Sequence, residues 1–168
     1  MPIELLKAQE KDRPIINNLA MFYSYDISEY ADSTWYQCRE NGLFEGGCDR
    51  YFEQRQTSIF TVRANGELAG FALVSQLDEP GVDFTVSEFF ILRRFRKRNI
   101  GTYVARTLFD TYNGRWDVMV YPLNTTAVAF WRKTVSAYTG GTSSCALEPV
   151  PRYEGLEMYV HRFDNSAL

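Results

Sequence analysis

One histidine, three cysteines and a slight acidic balance already exclude several chemistries for this 168-residue chain. His161 is the only histidine, and Cys38, Cys48 and Cys145 are scattered without Cys-x-x-Cys pairing. A structural zinc site needs four Cys or His ligands in paired spacing, so no metal centre is expected. An odd, unpaired set of cysteines suits reduced thiols in a cytoplasmic protein. The formal net charge of −3 argues against a general nucleic-acid binder, whose footprint should be basic. No apolar run approaches the length that a membrane-crossing helix needs. Met1-Pro2-Ile3-Glu4 leads into a charged segment instead of an apolar core, so no signal peptide is expected. There is no internal repeat and no low-complexity tail. What is abundant is aromatic: 12 Phe and 11 Tyr, enough for a well-filled core or an aromatic-lined cavity.

Residues 3–6 read as an opening strand. Asp12 is placed as a helix N-cap, with Pro14 in the first turn, where its missing N–H costs nothing. Ile15, Ile16, Leu19, Phe22 and Tyr23 recur at helical spacing and predict an amphipathic helix over 13–23. Turn-rich dipeptides at 41–42 and 46–47 precede a short helix expected over 49–56, with Tyr51 and Phe52 inward. Alternation over 58–63, Asn65-Gly66 and the apolar run 68–75 predict a hairpin, and 82–92 adds a third antiparallel strand. Val104, Ala105, Leu108, Phe109 and Tyr112 mark one face of a helix that Asn113-Gly114 ends. A strand over 116–121 stops at Pro122. Asn124 caps a helix over 125–134, Gly140-Gly141 is a flexible link, and 156–163 is a last strand. The order implies a mixed α+β or α/β fold with a central sheet, in a single domain over residues 1–168.

The chain is organised around residues 86–112. An apolar run over 89–92 meets a hexad, residues 93–98, in which five of six side chains are basic. Asn99-Ile100-Gly101-Thr102 then opens a helix. Free N–H groups of a first helical turn and the macrodipole make such a junction an anion site, here one for a phosphate-bearing ligand. Taken alone, the hexad would more often be a solvated face or a partner surface.

Two blocks resemble the GNAT superfamily of N-acetyltransferases. Arg96-Lys97-Arg98-Asn99-Ile100-Gly101 is similar to its acyl-CoA loop, Gln/Arg-x-x-Gly-x-Gly/Ala. Residues 124–133, Asn-Thr-Thr-Ala-Val-Ala-Phe-Trp-Arg-Lys, resemble the signature that follows its fifth strand. Asn99 stands where the family usually has Gly; Asn is the residue that best tolerates positive φ after Gly. Trp131 stands where many members place a Tyr that protonates the leaving thiolate. Indole donates a hydrogen bond but is no general acid.

The resemblance implies a mostly antiparallel twisted sheet of roughly six to seven strands, with splayed fourth and fifth strands and flanking helices. It implies acetyl-CoA as co-substrate and direct transfer to a primary amine of a small molecule or peptide. Backbone N–H groups of Arg96, Lys97, Arg98, Asn99, Ile100, Gly101 and Thr102 would take the diphosphate. Ile91 would contact the acetyl carbonyl or pantetheine, Asn124 the pantetheine, and Phe130 and Lys133 would flank the CoA. Glu88 is the candidate base. Tyr121 or Tyr138 would replace the missing acid. The aromatic residues Tyr25, Tyr30, Trp35, Tyr36 and Phe44 either line an amine pocket by cation–π contact or are ordinary core. His161 reads as a surface or packed histidine, Cys145 as a small hydrophobe. By analogy with relatives, a homodimer is an open arrangement. Two other functions stay open: an acyl-CoA-binding GNAT module without turnover, motivated by Trp131, and an RNA-binding domain using residues 93–98, which the acidic charge disfavours.

Overall fold

The computed structural model describes residues 1–30, 40–43 and 47–167, so Trp35, Tyr36, Cys38, Phe44 and Gly46 lie outside the described residues. Seven strands form one sheet in the order β1-β2-β3-β4-β5-β7-β6. The strands are β1 (Ile3–Lys7), β2 (Thr57–Ala64), β3 (Glu67–Glu79), β4 (Val82–Ile91), β5 (Arg115–Val120), β6 (Ser144–Val150) and β7 (Leu156–Asp164). The helices are α1 (Arg13–Ile27), α2 (Asp49–Phe52), α3 (Ile100–Thr111) and α4 (Thr125–Tyr138). The recorded ladders are antiparallel except that of β4 with β5, which is parallel and holds two pairs, Phe84↔Trp116 and Thr85↔Asp117. This is the mixed α/β architecture that the order of elements implies.

The chain divides into two compact units, Met1–Ser75 with Ser87–Val104, and Gln76–Val86 with Ala105–Leu168. In the first, Asn65 and Gly66 both take positive φ, 52° and 77°, so the β2–β3 hairpin turns as the Asn-Gly pair requires. Its core gathers Ile16, Leu19 and Ala20 of α1, Cys48, Tyr51 of α2, and Ile59, Phe71, Leu73 and Phe90 of the sheet. Phe71 and Leu73 are fully buried and contribute about 2 kcal/mol each by leaving water. Gly70 is required: a Cβ there would stand 2.0 Å from the Phe90 carbonyl oxygen, so the backbones of β3 and β4 meet without a side chain between them.

The second unit has an aromatic centre. Trp116 stacks on Phe163 at 6.1 Å, and Phe109 meets both edge-on, at 5.0 and 4.9 Å. Buried Asn165 seals the end of α3. Its Nδ2 donates to the carbonyls of Phe109 (2.7 Å) and Tyr112 (3.1 Å), and its Oδ1 accepts from Gly114 N (2.7 Å). Carbonyls of a last helical turn have no intrahelical partner, and this side chain supplies one.

Several local expectations are corrected. The first helix runs to Ile27, and its inward face is Ile16, Leu19, Ala20, Ser24 and Ile27. Ile15 and Phe22 are exposed. Two apolar stripes share this helix, and the one that meets the core cluster holds Ile16, Leu19 and Ala20. Asp12 stands at the N-cap position of α1 with Pro14 in the first turn, as expected, but its side chain makes no capping bond; its Oδ2 accepts from Gln9 N at 2.9 Å and closes the preceding turn. The short helix is one turn, Asp49–Phe52. Past Gly140-Gly141 the chain forms a strand, β6, for which the sequence predicts no element. It carries no clear alternation: Cys145, Ala146 and Leu147 are all exposed on the sheet edge. Cys145 is therefore not a packed hydrophobe. His161 is buried, with Nε2 3.8 Å from the Cys145 sulfur, and burial followed by the nearby Arg132 charge lowers its pKa.

Candidate active site

Strand alternation sends Glu88 and Phe90 to one face of β4, the face that packs on α1 and α2. Phe90 fills the core there. Glu88 is a carboxylate in an apolar wall, and it is met by phenols. The Tyr51 hydroxyl donates to Glu88 Oε1 at 3.0 Å, and Tyr23 of α1 is a second phenol partner. Arg50 donates from Nη2 to the Tyr51 oxygen at 2.9 Å, with its guanidinium 4.7 Å from the ring centroid. Burial pushes Glu88 up to about 7; the bonds from Tyr51 and Tyr23 and the Arg50 charge pull the other way. Cys48, in the same core, is pushed up to about 12 by burial and then by Glu88, so it is a neutral thiol.

Beyond β4 the hexad splits into two groups. Arg93 and Arg96 converge on Asp26 of α1, at 2.6 and 2.7 Å, and Arg94 pairs with Glu67 at 2.9 Å. Burial alone would raise Asp26, but the bonds from Arg96 and Arg93 outweigh it and hold the carboxyl below its ordinary range. Arg96 also donates from Nε to the Ile91 carbonyl at 2.7 Å, folding the loop back on the strand end. Three of the five cations thus hold the loop in shape. Lys97 and Arg98 are exposed and have no ion pair among the described residues.

The loop backbone then turns sharply. Lys97 and Asn99 both adopt left-handed conformations, φ 60° and 61°. The tolerance of Asn99 for positive φ is therefore used; no residue pattern announces the same demand on Lys97. Alternating left-handed residues gather successive N–H groups into a concavity, and α3 begins at once, with Ile100 buried and Gly101 and Thr102 half-buried. Donors at a helix start, beside two uncommitted cations, fit a diphosphate.

The second unit carries the other candidates. Asn124 caps α4, its side chain accepting from Ala127 N at 3.0 Å. Phe130 is half-buried and Lys133 exposed. Trp131 is buried, packed beside Phe130 at 4.9 Å. Tyr121 is half-buried against the cluster of Val150, Met158 and Val160. The Tyr138 hydroxyl donates to Asp110 Oδ1 at 2.9 Å and tethers α4 to α3. Burial is the largest cause of its pKa rising above the ordinary phenol value, and this bond adds to it. Of the described tyrosines proposed for an amine pocket, Tyr25 is exposed and Tyr30 half-buried. Among the described residues no His, Cys, Asp or Glu group could hold a metal ion, and no helix is long and apolar enough to cross a membrane.

Sequence reasoning missed Tyr51, Arg50 and Asp26. Tyr51 lies 37 residues from Glu88, and Asp26 lies 67 and 70 residues from the arginines it binds, so no local pattern joins them.

A family model described as the acetyltransferase (GNAT) family matches residues 17–135. No curated protein matches the sequence. Among solved structures the fold is similar to RimL, a ribosomal L7/L12 alpha-N-protein acetyltransferase in complex with coenzyme A. That match has 13% identity and a TM-score of 0.67, covering 100% of this chain and 97% of that one. A ribosomal-protein-S18-alanine N-acetyltransferase from Escherichia coli gives 13% identity and a TM-score of 0.63, over 99% and 96%. An IAA acetyltransferase from Bacillus cereus gives 10% and 0.60, over 97% and 99%.

Proposed function

Because the chain belongs to the GNAT acetyltransferase family, we propose that it moves an acetyl group directly onto a primary amine of a small molecule or peptide, with Glu88 as base. It is an N-acetyltransferase, and acetyl-CoA is its co-substrate. The observation that carries the proposal is Glu88 itself: a carboxyl pushed up to about 7 and bonded by the Tyr51 hydroxyl, on the strand that precedes the left-handed turn at Lys97 and Asn99.

Acetyl-CoA supplies an activated thioester when bound. The residues of this chain do the rest. Backbone N–H groups from Arg96 to Thr102 hold the diphosphate, with Lys97 and Arg98 adding charge. Ile91 offers backbone to the acyl end, and Asn124, Phe130 and Lys133 are further cofactor contacts. Glu88 takes the proton of the acceptor ammonium, because only a neutral amine has the lone pair to attack. A base titrating close to the working pH serves this step best. Tyr121 gives a proton to the departing thiolate, which leaves as the thiol of CoA, the role that the Trp131 indole cannot take.

Calorimetry of the full chain with acetyl-CoA and with CoA tests the loop. Micromolar binding by the parent chain and loss of at least tenfold in affinity in Gly101→Glu, with unchanged circular dichroism, are expected. Equal binding by parent and variant would remove the loop from the site. A thiol-release screen then separates turnover from binding alone, using peptides with free N-terminal amines and small amines as acceptors.

A further inference from the structure

Glu88 has an unusual retinue for a carboxylate on a sheet. Among the described residues its bonds come from phenols, and the cation that acts on it, Arg50, is bonded to one of them. Arg50 donates to the Tyr51 oxygen at 2.9 Å, and Tyr51 donates to Glu88 Oε1 at 3.0 Å. Tyr51 is buried, in the core cluster with Phe71, Leu73 and Phe90, where a phenylalanine would fill the same apolar space. Packing therefore does not call for its hydroxyl. Among the described residues the groups facing Glu88 are Tyr23 from α1, Cys48 from the turn before α2, and Arg50 and Tyr51 from α2. Asp49, next in sequence, faces away: its carboxylate accepts from Asn17 at 2.7 Å and Arg13 at 3.3 Å.

We propose that Arg50 and Tyr51 form a positioning relay that aims the Glu88 carboxylate and sets the pH at which it takes a proton from the acceptor amine. The relay rests on the reading of Glu88 as the base. A guanidinium in direct contact would lock the carboxylate in its charged form and make it a poor proton acceptor. A phenol donates one hydrogen bond, which fixes the oxygen's direction without setting a full positive charge against protonation. Arg50, bonded to the phenol oxygen, makes that hydroxyl a better donor, so its charge reaches Glu88 in attenuated form. Glu88 and Arg50 thus remain separate charges joined by a ring, and each link can be cut alone.

The test is a carboxyl-carbon NMR titration of the full chain with labelled glutamate, in which Glu88→Gln identifies the Glu88 signal. Tyr51→Phe is expected to move the Glu88 midpoint upward by about one pH unit. Arg50→Met should move it the same way but less, because Arg50 is exposed. An unmoved midpoint in Tyr51→Phe, with thermal melting close to the parent, overturns the relay. If Tyr51→Phe fails to fold, Arg50→Met decides alone, since its side chain lies outside the core. The pH profile of thiol release, with whichever amine the screen selects, tests the base separately. An acid limb that follows the midpoint supports both assignments. A midpoint that moves while the limb stays removes Glu88 as base, and the relay's catalytic role with it.

Discussion

Two carboxylates, one in each unit, are handled in opposite ways. In the first, Glu88 sits in an apolar wall with phenols for partners and is pushed up to about 7. In the second, Asp83 is gripped by Arg115 through Nε (2.9 Å), Nη2 (2.7 Å) and the backbone N–H (2.8 Å), and those bonds hold it down at about 2. Asp117, 3% exposed on β5, is bonded by Arg152, which also reaches Glu79 at 2.6 Å. Where a guanidinium is committed to a carboxylate, the result is a fixed strand end or loop. Where it is withheld, the result is a group able to exchange a proton. The basic hexad repeats the lesson in one loop: Arg93, Arg94 and Arg96 are committed to carboxylates, and Lys97 and Arg98 have no ion pair among the described residues.

The largest expected change comes from making the second unit resemble the first. Arg152→Ala leaves Asp117 buried without its countercharge and should cost about 3–5 kcal/mol in denaturant unfolding. A cost under ~1 kcal/mol would mean that this pair does not anchor the unit.

Making the first unit resemble neither is the next step. With an unfolded value of 4.5 and a folded value of about 7, Glu88 is raised on folding. Its contribution is therefore fully present below pH 4.5 and is lost as pH rises through 7. The span corresponds to about 3 kcal/mol. Glu88→Gln removes this dependence, so the stability gap between parent and variant should widen in the variant's favour from pH 5 to pH 8. In the same variant kcat/KM should fall by about 10²–10⁴-fold, the range for loss of a general base. Parallel pH–stability curves for the two proteins would contradict the raised carboxyl.

The smallest effect concerns the loop. The left-handed backbone at Lys97 is strained, and Lys97→Gly should raise stability by about 0.5–1 kcal/mol. Acetyl-CoA affinity should drop slightly, because an uncommitted cation is lost. A melting temperature lowered by this change would show that the Lys97 side chain holds the loop, as its arginine neighbours do.

The order of strands and helices, β6 excepted, was legible in the sequence because those elements declare themselves locally. Asn65-Gly66 specifies its turn through positive φ, Asn124 caps its helix, and Asn99-Ile100-Gly101 marks a helix start after a strand. The exposures of α1 and β6 were not legible, because burial depends on which of two apolar stripes meets the core and on which strand ends at the sheet edge. Glu88 could be nominated from its place on β4, but nothing near it in sequence announced Tyr51 or Arg50.

What the sequence by itself determined was the fold and the family: these follow from short-range periodicity and from two motifs in register. What only the tertiary structure decided was which charges are free. Asp26 removes two arginines from the loop, Glu67 removes a third, and Tyr51 reaches Glu88 from 37 residues away. Whether a charged group binds a ligand, moves a proton or holds a turn depends on partners within about 3 Å, and folding brings those together from distant parts of the chain.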